Sequence, residues 1–264
     1  MAVGERIRYG SHADAFGDLS VPSVNGSERV PVVVLVHGGF WRQRYELDLM
    51  EPLIPSLLRR RFAVWNIEYR RVGDGGGGGF PETLSDVAQA VDHLAAVADE
   101  QQLDLSRVAV VGHSAGGHLA TWLASRTSLV DDAPGSNPAV RPILAISQAG
   151  VVDLVDASAQ RLGDDAAGDF MGLTPAELPL SWRDSSPIEL LPIDARVVLI
   201  HGALDGIVPL RQSDRYLSAA RAVDVDIDLI VDESAGHFEH LNPDHFVWRA
   251  ALDQLDRTLG SRSS

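Results

Sequence analysis

Cysteine is absent from the chain, which excludes disulfides, a thiolate nucleophile and Cys-ligated metal centres. Lysine is absent too, all 22 basic residues being arginine. That removes Schiff-base catalysis, a Ser-Lys dyad and a P-loop lysine; we attribute the bias to codon usage rather than function. Positive charge is outweighed in total. A formal net charge of −15 argues against nucleic acid or an anionic membrane as partner, since either would be repelled. Long apolar runs are missing: the longest, Val30 to Val36, is far too short to span a bilayer. The opening stretch, Met1 to Tyr9, carries charge early and lacks the apolar segment of a secretory signal, so the expected location is the cytoplasm.

What is present is ample material for a core. With 264 residues and 45% hydrophobic content, the expectation is one α/β domain spanning 1–264, with neither an internal repeat nor a dividing linker. Ile7 to Pro22 reads as short edge strands and Asn25-Gly26-Ser27 as a turn. Apolar, β-branched runs at Val30–Val36, Phe62–Ile67, Arg107–Val111, Ile143–Ser147, Arg196–Ile200 and Val225–Val231 predict buried strands. Helical spacing predicts a helix over Glu46–Arg60, kinked or broken by Pro52 and Pro55, an amphipathic helix over Pro81–Glu100, and a last one over Pro243–Leu259. This alternation implies a mostly parallel sheet flanked by helices. Residues 151–191, with acidic residues and scattered Gly and Pro, are too long for a plain connection and predict a small lid insertion over the strand ends.

The chemistry centres on Gly112-His113-Ser114-Ala115-Gly116-Gly117, between a buried strand and the helix opening at Leu119. A turn that tight leaves no room for side chains two before and two after the serine. The Ser114 hydroxyl is thereby pushed out at the sheet edge, with helix N–H groups behind it to meet a developing negative charge, as acyl transfer requires. A base and an acid are then needed. His237, in the loop Asp232–Phe238 before the last helix, suits a general base. Asp205, after a strand in His201-Gly202-Ala203-Leu204-Asp205, is placed to receive an imidazole N–H, although alone it reads more readily as a helix cap or turn residue. Asp232 and Asp228 are the alternative acids. At the first strand's end, His37-Gly38-Gly39-Phe40-Trp41 allows close backbone approach to a ligand.

The order Ser114, Asp205, His237, each just after a strand, gathers the three at one edge of a parallel sheet. In these motifs the chain resembles the α/β-hydrolases over nearly all of Ile7 to Leu259, and His37-Gly38-Gly39-Phe40-Trp41 resembles the HGGxW motif of kynurenine formamidases and related small esterases. The resemblance implies an α/β-hydrolase fold with a catalytic triad of Ser114, Asp205 and His237, and an oxyanion hole from the backbone N–H groups of Ala115, Gly39 and Phe40. Trp41 and Trp182 are expected to wall the substrate pocket, at least one of the Phe40 and Trp41 rings facing it, while Trp182 reads equally as an anchor of the insertion to the domain. The expected partner is a small-molecule ester or amide, with no cofactor; oligomeric state is not legible.

Three other readings carry less. Gly73-x-Gly75-x-x-Gly78 formally matches a dinucleotide fingerprint, but five consecutive glycines, Gly75 to Gly79, match it by composition. They read instead as a slack connection or a mobile loop flanking the site. His237, Glu239, His240 and His245 cluster without a common zinc spacing, so no metal is expected, and His240 and His245 read as capping or packing residues. A non-catalytic binding module on the same fold is the alternative of a different class.

Overall fold

The computed structural model describes residues 4–23 and 28–260; the turn expected at Asn25-Gly26-Ser27 and the first three residues lie outside them. Eight strands form one sheet: β1 Glu5–Arg8, β2 Phe16–Ser20, β3 Val30–Val36, β4 Ala63–Ile67, β5 Leu103–His113, β6 Leu144–Gln148, β7 Arg196–Gly202 and β8 Ile227–Asp232. Their spatial order is β1-β2-β4-β3-β5-β6-β7-β8. β1 and β2 run antiparallel at one edge, and β4, β3 and β5 to β8 are parallel. The helices are α1 Ile54–Leu58, α2 Glu82–Asp92, α3 Leu94–Val97, α4 Ala115–Ser125, α5 Leu154–Ala159, α6 Leu162–Met171, α7 Pro179–Ser185, α8 Arg211–Arg221 and α9 Phe246–Leu259. None of them is long and apolar enough to cross a membrane.

β3 shows why the valine-rich runs become central strands. Alternate side chains point to opposite faces. Val32, Val34 and Val36 join a core containing Trp65, Trp122 and residues of α2 and α4, whereas Val33 and Leu35 join one containing Leu57, Trp248 and Leu255. A strand covered on both faces has no position for a polar side chain, and all seven residues of β3 are buried.

Several boundaries differ from the sequence expectation. β5 begins at Leu103, ahead of the apolar run from Arg107, with an irregularity at Asp104-Leu105-Ser106: pairing with β3 jumps from Pro31↔Asp104 to Val32↔Val108, and Asp104 Oδ1 accepts from the Ser106 amide and hydroxyl. The Pro81–Glu100 helix is interrupted at His93 and becomes α2 and α3. Glu46–Arg60 splits into a 3-10 segment, Leu47–Leu53, and α1, because Pro52 has no N–H for a helical hydrogen bond. Residues 151–191 hold α5, α6, α7 and a 3-10 turn at Pro187–Leu190. The first turn of α6 is not α-helical, with Gly163, Asp164 and Asp165 at φ 60°, 62° and 65°. Gly75–Gly79 folds back on Arg70 and Arg71: a Cβ at Gly76 would lie 2.0 Å from the Arg71 carbonyl oxygen, and one at Gly78 2.3 Å from the Arg70 carbonyl. Close approach thus requires glycine at Gly76 and Gly78, left-handed φ values of 79°, 61° and 112° favour it at Gly75, Gly77 and Gly79, and none of the run lines the cavity beside Ser114.

Candidate active site

β5 delivers Ser114 at its C-terminal end, and α4 begins at the next residue. Ser114 sits at φ 58°, ψ −122°, a conformation costing on the order of 1–3 kcal/mol that the surroundings must enforce. The glycines around it are sterically required. A Cβ on Gly112 would lie 1.9 Å from the Gly116 carbonyl oxygen, and one on Gly116 would lie 2.1 Å from that of Val36. Gly38 is pinned the same way, its absent Cβ falling 2.6 Å from the His113 carbonyl oxygen and 2.9 Å from Ser114 Cβ. The loop after β3 therefore lies directly on the serine turn. It continues through left-handed φ values at Gly39 (107°), Phe40 (54°) and Trp41 (55°). Among the described residues, the amides of Gly39, Phe40 and Ala115 pair with no other backbone group.

From the loops after β7 and β8, Asp205 and His237 meet: Nδ1 of His237 lies 2.7 Å from Asp205 Oδ2. Asp205 Oδ1 accepts from the amides of Ile207 (2.8 Å) and Val208 (2.9 Å). Burial pushes the Asp205 carboxyl up, but the nearby His201 ring, with Nε2 3.5 Å from Oδ2, the hydrogen bond from His237 and the Ile207 amide together outweigh burial and hold it far below the usual carboxylate range. The alternative acids are engaged elsewhere: Asp232 accepts from Ser234, and Asp228 pairs with Arg196.

Ser114 and His237 share a cavity of about 350 Å³ with Gly39, Phe40, Arg42, Arg44, Tyr45, Leu49, Ile207, Phe238 and Leu241. Gly163 and Asp164, from residues 151–191, also line it. A Cβ on Gly163 would lie 2.8 Å from the Phe40 ring, and Arg42 donates to the Gly163 carbonyl oxygen at 2.6 Å, so this part of residues 151–191 is seated on the loop after β3.

The two tryptophans expected in the pocket wall are not there. Trp41 is buried, donates from Nε1 to His118 Nδ1 at 3.2 Å and stacks on Phe170. The left-handed backbone at Phe40 and Trp41 directs the first ring to the cavity and the second into the core. Trp182 is also buried and donates to the Leu173 carbonyl oxygen, anchoring α7 to its own segment. The residues that replace them divide by how visible they were. Phe238 and Ile207 neighbour sequence motifs, whereas Tyr45 and the arginines had only proximity to the glycine loop as a signal, and Gly163 and Asp164 had none. The His237, Glu239, His240, His245 group disperses: Glu239 accepts from the Gly236 amide, His245 caps α9 through the Val247 amide, and His240 is fully buried.

Burial pushes the imidazole of His113 down to about 3 and that of His118 to about 4, and for the same reason it holds that of His240 well below its ordinary value. The folded chain thus refuses three protons that the unfolded chain accepts once pH falls below the ordinary histidine value. Stability is present above that value and lost on acidification, at roughly 1.4 kcal/mol per pH unit for each group. Melting followed by circular dichroism is expected to show Tm falling steeply from pH 6.5 to 5; an unchanged Tm over that interval would contradict the neutral assignment.

A family model described as BD-FAE matches residues 18–219. Among characterised relatives, the acylamino-acid-releasing enzyme of Mus musculus is 28% identical over 224 residues, covering 79% of this chain and 29% of the relative. Esterase LipC of Mycobacterium tuberculosis is 27% identical over 226 residues, covering 83% and 55%. The chain thus spans about half the length of the mycobacterial relative and under a third of the murine one. A solved structure, a truncated form of a carbohydrate esterase from gut microbiota, superposes with a TM-score of 0.81 at 18% identity, covering 99% of this chain and 97% of the other. At that identity the likeness is one of fold.

Proposed function

The chain belongs to the BD-FAE family, within the α/β-hydrolase superfamily, and from that premise we propose that it is a serine hydrolase of short-chain carboxylic esters acting through an acyl-enzyme. One observation carries the reading: Ser114, held at φ 58° between strand and helix, opens into the cavity lined by His237, whose ring is bound to Asp205 at 2.7 Å. A carboxylate only accepts, so His237 Nδ1 carries the proton and Nε2 presents a lone pair. In the proposed reaction that lone pair takes the Ser114 proton as Oγ attacks the ester carbonyl. Negative charge moving onto the carbonyl oxygen is met by the Ala115, Gly39 and Phe40 amides. Collapse expels the alcohol, which takes the proton back from His237, and a water molecule repeats the sequence on the acyl group. This scheme calls on no cofactor. We read the described residues as one domain in which 151–191 serves as a lid, because the insertion supplies one side of the cavity.

The cavity also supports a choice of substrate. Phe40, Tyr45 and Phe238 offer ring surfaces suited to flat apolar groups, and about 350 Å³ gives no long tunnel. Aryl esters with short acyl chains should be favoured, p-nitrophenyl acetate or butyrate exceeding the palmitate by at least about tenfold in kcat/KM, or about 1.4 kcal/mol. A preference for palmitate would overturn the argument from size. A formamide such as N-formyl-L-kynurenine is the alternative substrate, and a rate above a hundredth of that for phenyl acetate would favour it. Labelling with a fluorophosphonate tests the mechanism itself. Modification confined to Ser114, with loss of esterase activity, is expected, whereas no labelling would return the chain to the class of binding modules.

The acid limb of the pH profile follows from the same groups. Asp205 stays ionised far below the ordinary carboxylate range, and His113 and His240 stay neutral, so none of these three supplies an essential ionisation between pH 5 and 8. Where chemistry limits the rate, log kcat/KM is expected to fall toward acid with a slope of one; a slope of two would mean that a second group in the cluster titrates.

A further inference from the structure

The base in this scheme is fixed at two points, and only one of them is the carboxylate. His113, the residue before Ser114, lies with Nε2 2.8 Å from the main-chain carbonyl oxygen of His237, and the two rings are 4.7 Å apart. A carbonyl oxygen only accepts, so His113 Nε2 must carry the proton. Its Nδ1, buried and without a hydrogen-bond partner among the described residues, then holds a lone pair, and the ring is neutral. Burial, which pushes this imidazole down to about 3, agrees with that state.

The consequence is geometric. Ser114 follows β5 and His237 follows β8, strands separated in the sheet by β6 and β7. The His113 bond ties the serine turn directly to the loop carrying the base. Asp205 grips the His237 ring at Nδ1, and His113 grips the same residue's main chain, so the remaining freedom is small. We infer that His113 is a positioning residue for the base: its Nε2–H, by holding the His237 carbonyl oxygen, sets the direction in which the His237 ring faces Ser114. This rests on the serine-hydrolase reading above and assigns a role to the first variable position of the G-x-S-x-G motif, which the serine turn itself leaves free.

Three variants separate positioning from mere packing. Glutamine places an amide N–H near the position of Nε2, asparagine falls short of it, and leucine fills space without a donor. A displacement of the base by about an ångström costs roughly a hundredfold. With kcat normalised to the fraction of serine labelled by a fluorophosphonate, His113→Leu and His113→Asn are therefore expected to lose about a hundredfold in kcat at a KM within about threefold of the parent. His113→Gln should recover to within about fivefold. A purely structural role would lower the labelled fraction and Tm but leave kcat per labelled serine unchanged, and that result overturns the proposal. So does a Gln variant as slow as Asn, which decides the matter if the Leu variant does not fold. Ser114→Ala, run in parallel, distinguishes the two levels. If it remains active, the serine mechanism itself fails and takes this inference with it; if it is inactive while His113→Asn is not, only the inference fails.

Discussion

Replacing Ser114 by alanine is expected to lower kcat on p-nitrophenyl acetate about a million-fold while leaving the far-ultraviolet spectrum and Tm close to those of the parent. In the proposed mechanism nucleophile and base act as one unit, which sets the size of the loss: without Oγ no acyl-enzyme could form, and His237 would have nothing to deprotonate. The fold should tolerate the change because the substitution removes a single oxygen facing the cavity and no core contact. Alanine has the same Cβ as serine and inherits the φ of 58°, so the strain of the turn is neither relieved nor increased. Stopped assays at high enzyme concentration read the residual rate, with active-site titration excluding contamination by parent enzyme. Activity within about tenfold of the parent would mean that another group attacks the ester.

Much of this arrangement was legible in the amino-acid order because its determinants are local. A run such as Val30–Val36 has no polar face to offer solvent, and the steric demand for glycine at Gly112 and Gly116 is written in the motif itself. The sequence of strand, loop and candidate residue at Ser114, Asp205 and His237 also needed only local signals, since a parallel sheet places all such loops at one edge. What was not legible depends on tertiary contacts. Phe40 and Trp41 are adjacent aromatics with equal claim on the pocket, and only the left-handed backbone and the partner His118 decide that Trp41 turns inward. Gly163 and Asp164 reach the cavity through a turn at positive φ seated against Phe40 and Arg42, contacts 121 or more residues apart in the chain. The split of Pro81–Glu100 at His93 is likewise unmarked by proline or glycine. Hydrophobic period thus predicted which elements exist, and the side-chain directions inside the cavity required the folded chain.

Asp205→Asn is expected to cost about 10⁴-fold in kcat, roughly 5.4 kcal/mol at the transition state, with little change in fold. The carboxylate makes two kinds of contact, and the amide can keep one of them. Its oxygen can still accept from the Ile207 and Val208 amides, now at 2.8 and 2.9 Å, so the loop after β7 has reason to hold its shape. Its nitrogen, however, replaces Oδ2 opposite His237 Nδ1 as a donor. Two donors cannot share that 2.7 Å contact, so the imidazole moves its proton to Nε2 and turns the N–H, not the lone pair, toward Ser114. The base is then in the wrong tautomer, and the negative charge that would stabilise the imidazolium is gone as well. His201 cannot substitute: its Nε2 donates to the Val208 carbonyl oxygen, and its Nδ1 is held by the Ser213 hydroxyl. The nitrogen-bound proton of His237 gives a second readout, because the downfield proton resonance of an Asp-bound Nδ1–H should be present in the parent and lost in the variant. An Asn variant within tenfold of the parent, with that resonance unchanged, would remove Asp205 from the mechanism. Asp232 is bound to Ser234 and Asp228 to Arg196, so neither can take over the orientation of the base without rearrangement around it.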